Sequence, residues 1–149
     1  MGRSAEDDVL LSTTRLVMAV SVRAADHVGD VSPVQLRALT ALRRRPAANL
    51  VQLAEAMGVT VSTASRLVDR LVAAGLVDRR PSAVTGREIS LTLTPVGKQT
   101  LDRYDALRVR GMRERIDAVP AELRTSVLAA LASLLAGSGG DEPTGPQES

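Results

Sequence analysis

The stretch that most constrains this chain runs from residue 51 to residue 87, where helix, tight turn, second helix and a β-hairpin with a basic tip follow without a gap. The second helix is the centre of the run. Thr60 is a good N-cap, because its hydroxyl can accept a bond from a free first-turn amide. Val61, Ala64, Leu67, Val68, Leu71 and Val72 recur every three or four residues and are expected to form one buried stripe. Ser62, Thr63, Ser65, Arg66, Asp69 and Arg70 are left outside. That outer face is short, hydrogen-bonding and cationic, and it suits a major groove, where hydroxyls and an Arg fork reach base edges and phosphates. Taken singly, each of these residues also fits an ordinary solvated face. The spacing and the flanking elements carry the reading.

On the N-terminal side, Asn49-Leu50-Val51-Gln52 is a helix start, continued by Leu53, Ala54 and Met57. Gly58 can take positive φ, end that helix and let Thr60 begin the next, which is helix-turn-helix spacing. On the C-terminal side, Gly75 ends the second helix and Leu76-Val77-Asp78-Arg79 reads as a short strand. Glu88 to Thr94 alternates, with Ile89, Leu91 and Leu93 expected to face inward. Residues 80–87 between them form a polar loop punctuated by Pro81 and Gly86. With Arg79, Arg80 and Arg87 around it, this hairpin reads as a wing whose arginines can enter a minor groove.

The flanks are helical. A long helix is expected from about Ala5 to Ala25, with an apolar arc that either lies across the core or meets another subunit. Gly29 breaks it, and His27 near its end reads as a helix-terminal residue. Ser32-Pro33-Val34-Gln35 starts the next helix, which stops at Arg43-Arg44-Arg45-Pro46. Those arginines either complement the helix dipole, the preferred reading, or touch phosphate. Thr94-Pro95 starts a helix reaching about Ile116 through Leu101, Tyr104, Leu107, Val109 and Met112. Pro120 begins a last one with Leu123, Val127, Leu128, Leu131, Leu134 and Leu135. This apolar surface exceeds what a small lobe needs and points to a homodimer. Residues 138–149 are expected to be a mobile acidic tail.

Composition removes several function classes. The 149 residues contain no Cys, one His, no Trp, no Phe and one Tyr. Thiol chemistry, a multi-His metal centre, a Ser-His-Asp device and aromatic stacking platforms for single strands are therefore disfavoured. No carboxylate pair, phosphate-cradling Gly loop or activated nucleophile stands out, so no enzyme and no cofactor is expected. The absence of an apolar run of 18 residues and of a leader pattern points to a cytoplasmic protein with no membrane partner. Net charge is only +2, yet residues 43–88 carry eight Arg against four acids. A polyanion is the expected partner of that segment.

Four blocks in order, Leu53-Ala54-Glu55-Ala56-Met57-Gly58-Val59, Ser62 to Leu71, Gly75-Leu76-Val77-Asp78-Arg79 and Leu91-Thr92-Leu93-Thr94-Pro95-Val96-Gly97, closely resemble the MarR family of bacterial transcription regulators. The resemblance extends from the first helix to the last. It implies a mainly α fold with a small β-wing: an N-terminal dimerisation helix over residues 1–31, a winged helix-turn-helix lobe over 32–95 and C-terminal dimerisation helices over 96–137. It implies a homodimer on a pseudo-palindromic double-stranded operator, functioning as a repressor. By position, Ser62, Thr63, Ser65, Arg66 and Arg70 match groove-facing residues and Arg87 the wing arginine, while Asp69 and Asp78 match acids that hold those arginines. Many members carry Asp just before the wing arginine, where this chain has Thr85-Gly86. Many also release DNA on binding a small aromatic or phenolic ligand; an anionic or lipophilic ligand near Arg15, Val17, Arg37 and Tyr104 is the matching expectation. A winged-helix module that has lost DNA and binds a protein instead is the rival.

Overall fold

A computed structural model of the chain describes residues 2–137, and the expected acidic tail lies outside them. The order is α1 (Ala5–Asp26), α2 (Pro33–Arg44), α3 (Leu50–Met57), α4 (Val61–Ala73), β1 (Val77–Pro81), β2 (Ile89–Leu93), α5 (Pro95–Asp117) and α6 (Ala121–Gly137). The chain divides into two compact units, the first ending at Arg110 and the second beginning at Gly111. The fold is thus mainly helical, with one antiparallel pair of strands.

Helix starts are set by local chemistry. Ser32 and Asn49 both form reciprocal capping boxes, with Gln35 and Gln52 respectively. Ser4 forms a third with Asp7, a start the sequence pattern left unrecognised. Gly58 takes φ +66°, which lets α3 end and the chain turn at once into Thr60. Thr94 caps α5, its hydroxyl accepting from the Gly97 amide at 3.0 Å and donating to the Gly75 carbonyl at 2.6 Å. Gly97 is required there for room, since a Cβ would lie 2.1 Å from the Leu76 carbonyl oxygen.

The core of the first unit is aliphatic. Leu36, Leu39, Leu53, Leu71, Leu91 and Leu101 are its largest fully buried side chains, joined by Val68 and Val77. The strands pair Val77 with Leu93 and Arg79 with Leu91. Ala48, just before α3, adds a bridge in which the Leu91 amide donates to its carbonyl at 2.8 Å.

Three expectations need correction. Val61 is 45% exposed, because it occupies the first position of α4, at the end of the buried stripe. Strand alternation fails at Ile89, which is half exposed, while Ser90 is buried and its hydroxyl donates to the Arg80 carbonyl at 3.2 Å. β1 runs two residues further than expected, so Arg80 lies in a strand pair and not in the loop. Arg43 and Arg44 do lie in the last turn of α2, and Arg43 also pairs with Asp105 and, at 3.5 Å, with Asp102 on α5.

Of the long first helix only the end is in the core: Val20, Ala24 and Ala25 are buried. Val9, Leu10, Val17, Met18 and Val22 are exposed. In the second unit α6 has no buried residue, and Leu123, Leu128, Leu134 and Leu135 are each more than half exposed. There Arg124 closes the preceding turn, donating to the carbonyls of Val119 (2.9 Å) and Asp117 (2.6 Å).

Candidate nucleic-acid interface

α4 presents two faces because its apolar residues follow the helical period. Ala64, Leu67, Val68 and Leu71 are buried, which fixes Ser62, Thr63, Arg66, Asp69 and Arg70 outward; Ser65 is half-buried at the margin. Ser62 and Arg66 are one turn apart and share a line along the outer surface. Such a rigid inner seam holds the outer side chains in fixed relation, which base reading requires.

At the front of α4 three hydroxyls form a cluster that sequence reasoning did not anticipate beyond the cap itself. Thr60 Oγ1 accepts from the Thr63 amide at 3.2 Å and donates to Thr63 Oγ1 at 2.9 Å. Ser62 Oγ lies 3.2 Å from the same Thr60 oxygen. The signal was present as hydroxyl residues at 60, 62 and 63, all within one turn of the cap.

The arginines fall into two groups. Arg79 of β1 pairs with Asp69 of α4, and Arg80 with Asp78 at 3.4 Å. Arg66, Arg70 and Arg87 are exposed and form no ion pair among the described residues. The two acids that the resemblance assigned to hold the groove and wing arginines thus have Arg79 and Arg80 as partners. Asp69 ties α4 to the wing's first strand, while three guanidiniums stay available to an outside anion.

The wing loop is closed by its own small residues. The Ser82 amide donates to the Glu88 carbonyl at 2.6 Å, and the Gly86 amide donates to the Ser82 carbonyl at 2.8 Å. Ser82 Oγ accepts from the Val84 amide and Thr85 Oγ1 from the Glu88 amide, each at 3.2 Å. Thr85 therefore braces the loop next to Arg87.

A separate cleft of about 410 Å³ opens between α2, α3 and α5. Arg37, Arg44, Arg45 and Arg108 line it together with Met57 and Tyr104. Arg37 donates to the Met57 carbonyl at 3.2 Å, and the Arg108 guanidinium stands 5.1 Å from the Tyr104 ring centre. Of the four expected ligand neighbours, Arg37 and Tyr104 meet here; Arg15 and Val17 are on α1 and do not line the cleft. No group of three His, Cys, Asp or Glu is placed to hold a metal among the described residues. No helix there is long and apolar enough to cross a membrane.

Solved structures share this fold. RV1404 from Mycobacterium tuberculosis is 29% identical, with a TM-score of 0.79 over 95% of this chain and 98% of that one. The transcriptional regulator Tm0710 from Thermotoga maritima is 21% identical, with a TM-score of 0.76 over 91% and 94%. A point mutant of MepR from S. aureus, solved bound to an oligodeoxyribonucleotide, is 16% identical, with a TM-score of 0.70 over 91% and 99%. The last two likenesses speak to fold alone. No curated protein matches the sequence. The family model of the MarR family matches residues 29–88, which contain the helix-turn-helix and the wing loop. Residues 29–88 thus match the MarR family, and more than nine-tenths of the chain shares the fold of RV1404 and Tm0710.

Proposed function

We propose that this protein is a homodimeric, sequence-specific regulator that binds double-stranded DNA and represses transcription by occupying a promoter site. One observation carries the reading: Arg66 and Arg70 on the outer face of α4 and Arg87 on the wing are exposed and unpaired, beside a row of hydroxyl residues. An αα-hairpin used only for packing has no need of three unpaired guanidiniums beside a wing. In this reading Ser62, Thr63, Ser65, Arg66 and Arg70 enter a major groove, and Arg87 enters the adjoining minor groove, with Arg79 and Arg80 at the wing base beside the backbone. Asp69 and Asp78 keep Arg79 and Arg80 in place. MepR's complex with an oligodeoxyribonucleotide gives a precedent in the same fold.

Dimerisation is supported by the apolar residues left in water on α1 and, separately, on α6. Two recognition helices then sit about 34–36 Å apart, one turn of DNA, and read a pseudo-palindrome. The arginine-lined cleft with Tyr104 fits an anionic aromatic ligand, through cation–π contact and an Arg fork. A ligand preferring a different lobe spacing needs a coupling of only about 1–3 kcal/mol to change DNA affinity roughly 5- to 150-fold.

The test is selection of genomic fragments by the purified protein at two salt concentrations, followed by titration of the recovered site. One palindrome-like sequence, bound with affinity that falls steeply in salt, is the expected result. Uniform weak binding, or none, would replace this reading with that of a protein-binding module.

A further inference from the structure

The hydroxyl cluster at the front of α4 has a consequence for which base the helix reads. A hydroxyl carries one proton and two lone pairs. Thr60 gives its proton to Thr63 Oγ1, and one of its lone pairs takes the Thr63 amide. What remains on Thr60 is a single lone pair, and Ser62 Oγ is 3.2 Å away. Thr60 has no second proton to offer, so Ser62 is the donor in that contact. Ser62 is thereby left with lone pairs and no proton for an outside partner, whereas Thr63 keeps its proton free.

From this accounting we infer that Thr60 fixes Ser62 as a hydrogen-bond acceptor, so that Ser62 selects a base with an exocyclic amino group, adenine or cytosine. The inference rests on the regulator reading above and refines it. In the major groove the donors are the N6 amino group of adenine and the N4 amino group of cytosine, while guanine and thymine present acceptor oxygens. An isolated serine does not discriminate, because its hydroxyl rotates to suit either. A serine whose proton is engaged meets the O6 of guanine or the O4 of thymine with lone pair against lone pair. Ser62 is exposed and one turn before Arg66, whose fork matches guanine O6 and N7. Each half-site is therefore expected to place an adenine or cytosine near a guanine, with Thr60 as a positioning residue that touches no base.

The test uses the full chain and the DNA site recovered by random-sequence selection. Wild type should require adenine or cytosine at one position per half-site. Where that base is adenine, replacement by unsubstituted purine, which lacks only the amino group, should weaken binding roughly 3- to 10-fold, the worth of one hydrogen bond. Ser62→Ala should abolish the discrimination. Thr60→Val, which keeps the shape and removes the hydroxyl, should let guanine or thymine compete at that position, while Thr60→Ser should retain the wild-type ratio. The readout is a ratio between sites, so a loss of helix capping or of folded protein does not imitate it. A Ser62-dependent preference for guanine or thymine would overturn the inference, as would an unchanged ratio in Thr60→Val. Absence of any specific site would instead remove the regulator reading beneath it.

Discussion

α4 and α6 are both written with apolar residues at helical spacing, yet they end in opposite conditions. In α4 the stripe is covered: Ala64, Val68 and Leu71 have no exposed surface. In α6 no residue is buried, and Leu134 is 70% exposed. The contrast separates two uses of one pattern. α4 turns its apolar side to the chain's own core and is thereby fixed well enough to aim its polar side at a ligand. α6 leaves much of its apolar side exposed, the surface that the proposed homodimer would offer to another copy.

The largest effect that tests this contrast comes from a pair of glycines. Gly97→Ala forces a methyl to within 2.1 Å of the Leu76 carbonyl, a backbone atom that cannot swing aside. We expect a loss of about 3 kcal/mol or more, read as a collapse of the urea midpoint. Gly137, on α6, has open space around its Cβ position, so Gly137→Ala should be neutral or stabilising by up to ~1 kcal/mol. Similar losses at both glycines would mean that α6 is packed as tightly as the lobe.

Leucines give the next test. Leu71→Ala should cost about 2–5 kcal/mol at every protein concentration, since it empties space inside one chain. Leu128→Ser and Leu134→Ser should leave the lobe folded and move the monomer–dimer midpoint to higher concentration by sedimentation equilibrium. A dimer constant indifferent to both α6 changes would remove that helix from the interface.

At the DNA surface the effects are smaller. Arg66→Ala should cost about 1–3 kcal/mol in affinity for the selected site and relax choice at one base position. Arg87→Ala should weaken binding with little change in sequence preference and reduce the log–log salt slope by about 1 for each phosphate that the arginine neutralises. If Arg66→Ala instead lowers affinity equally on all sequences, its fork clamps phosphate and the division of labour between helix and wing fails.

The sequence made the lobe legible where period and punctuation agree. Ser32-Pro33 and Asn49 to Gln52 start helices as capping chemistry requires, and Gly58 turns as a positive-φ residue should. It misled where burial depends on a neighbour far along the chain. Val61 fits the α4 stripe by period, but period does not reveal that the helix's first residue stays 45% exposed while Ala64 is covered. Arg43 reads as the start of a cationic run at the end of α2, and its partners Asp102 and Asp105 lie about sixty positions away. The Asp69–Arg79 pair is legible only once α4 and β1 are side by side. For the interface itself, composition placed the positive charge, but which guanidiniums remain unpaired is a three-dimensional fact.

The smallest expected effect concerns two adjacent alanines where the lobe's sheet meets α3. Ala47 takes φ +60°, the one non-glycine with positive φ among the described residues. That conformation costs an L-residue roughly 1–2 kcal/mol, while glycine's extra freedom in the unfolded chain costs about 0.4–1 kcal/mol. The difference leaves Ala47→Gly stabilising by about 0.5–1 kcal/mol. Its side chain is exposed, so no packing is lost. Ala48, one residue on, is 3% exposed and its carbonyl receives the Leu91 amide. There the same substitution deletes a buried methyl and adds backbone freedom, so Ala48→Gly should destabilise by about 1 kcal/mol or more. Opposite signs in thermal melts of two neighbouring Ala→Gly variants would establish that this bend is held by Ala48 on the sheet against the preference of Ala47. The same sign in both would mean that Ala47 is not held at positive φ in solution, and that the Ala48–Leu91 bridge leaves the preceding residue free to relax.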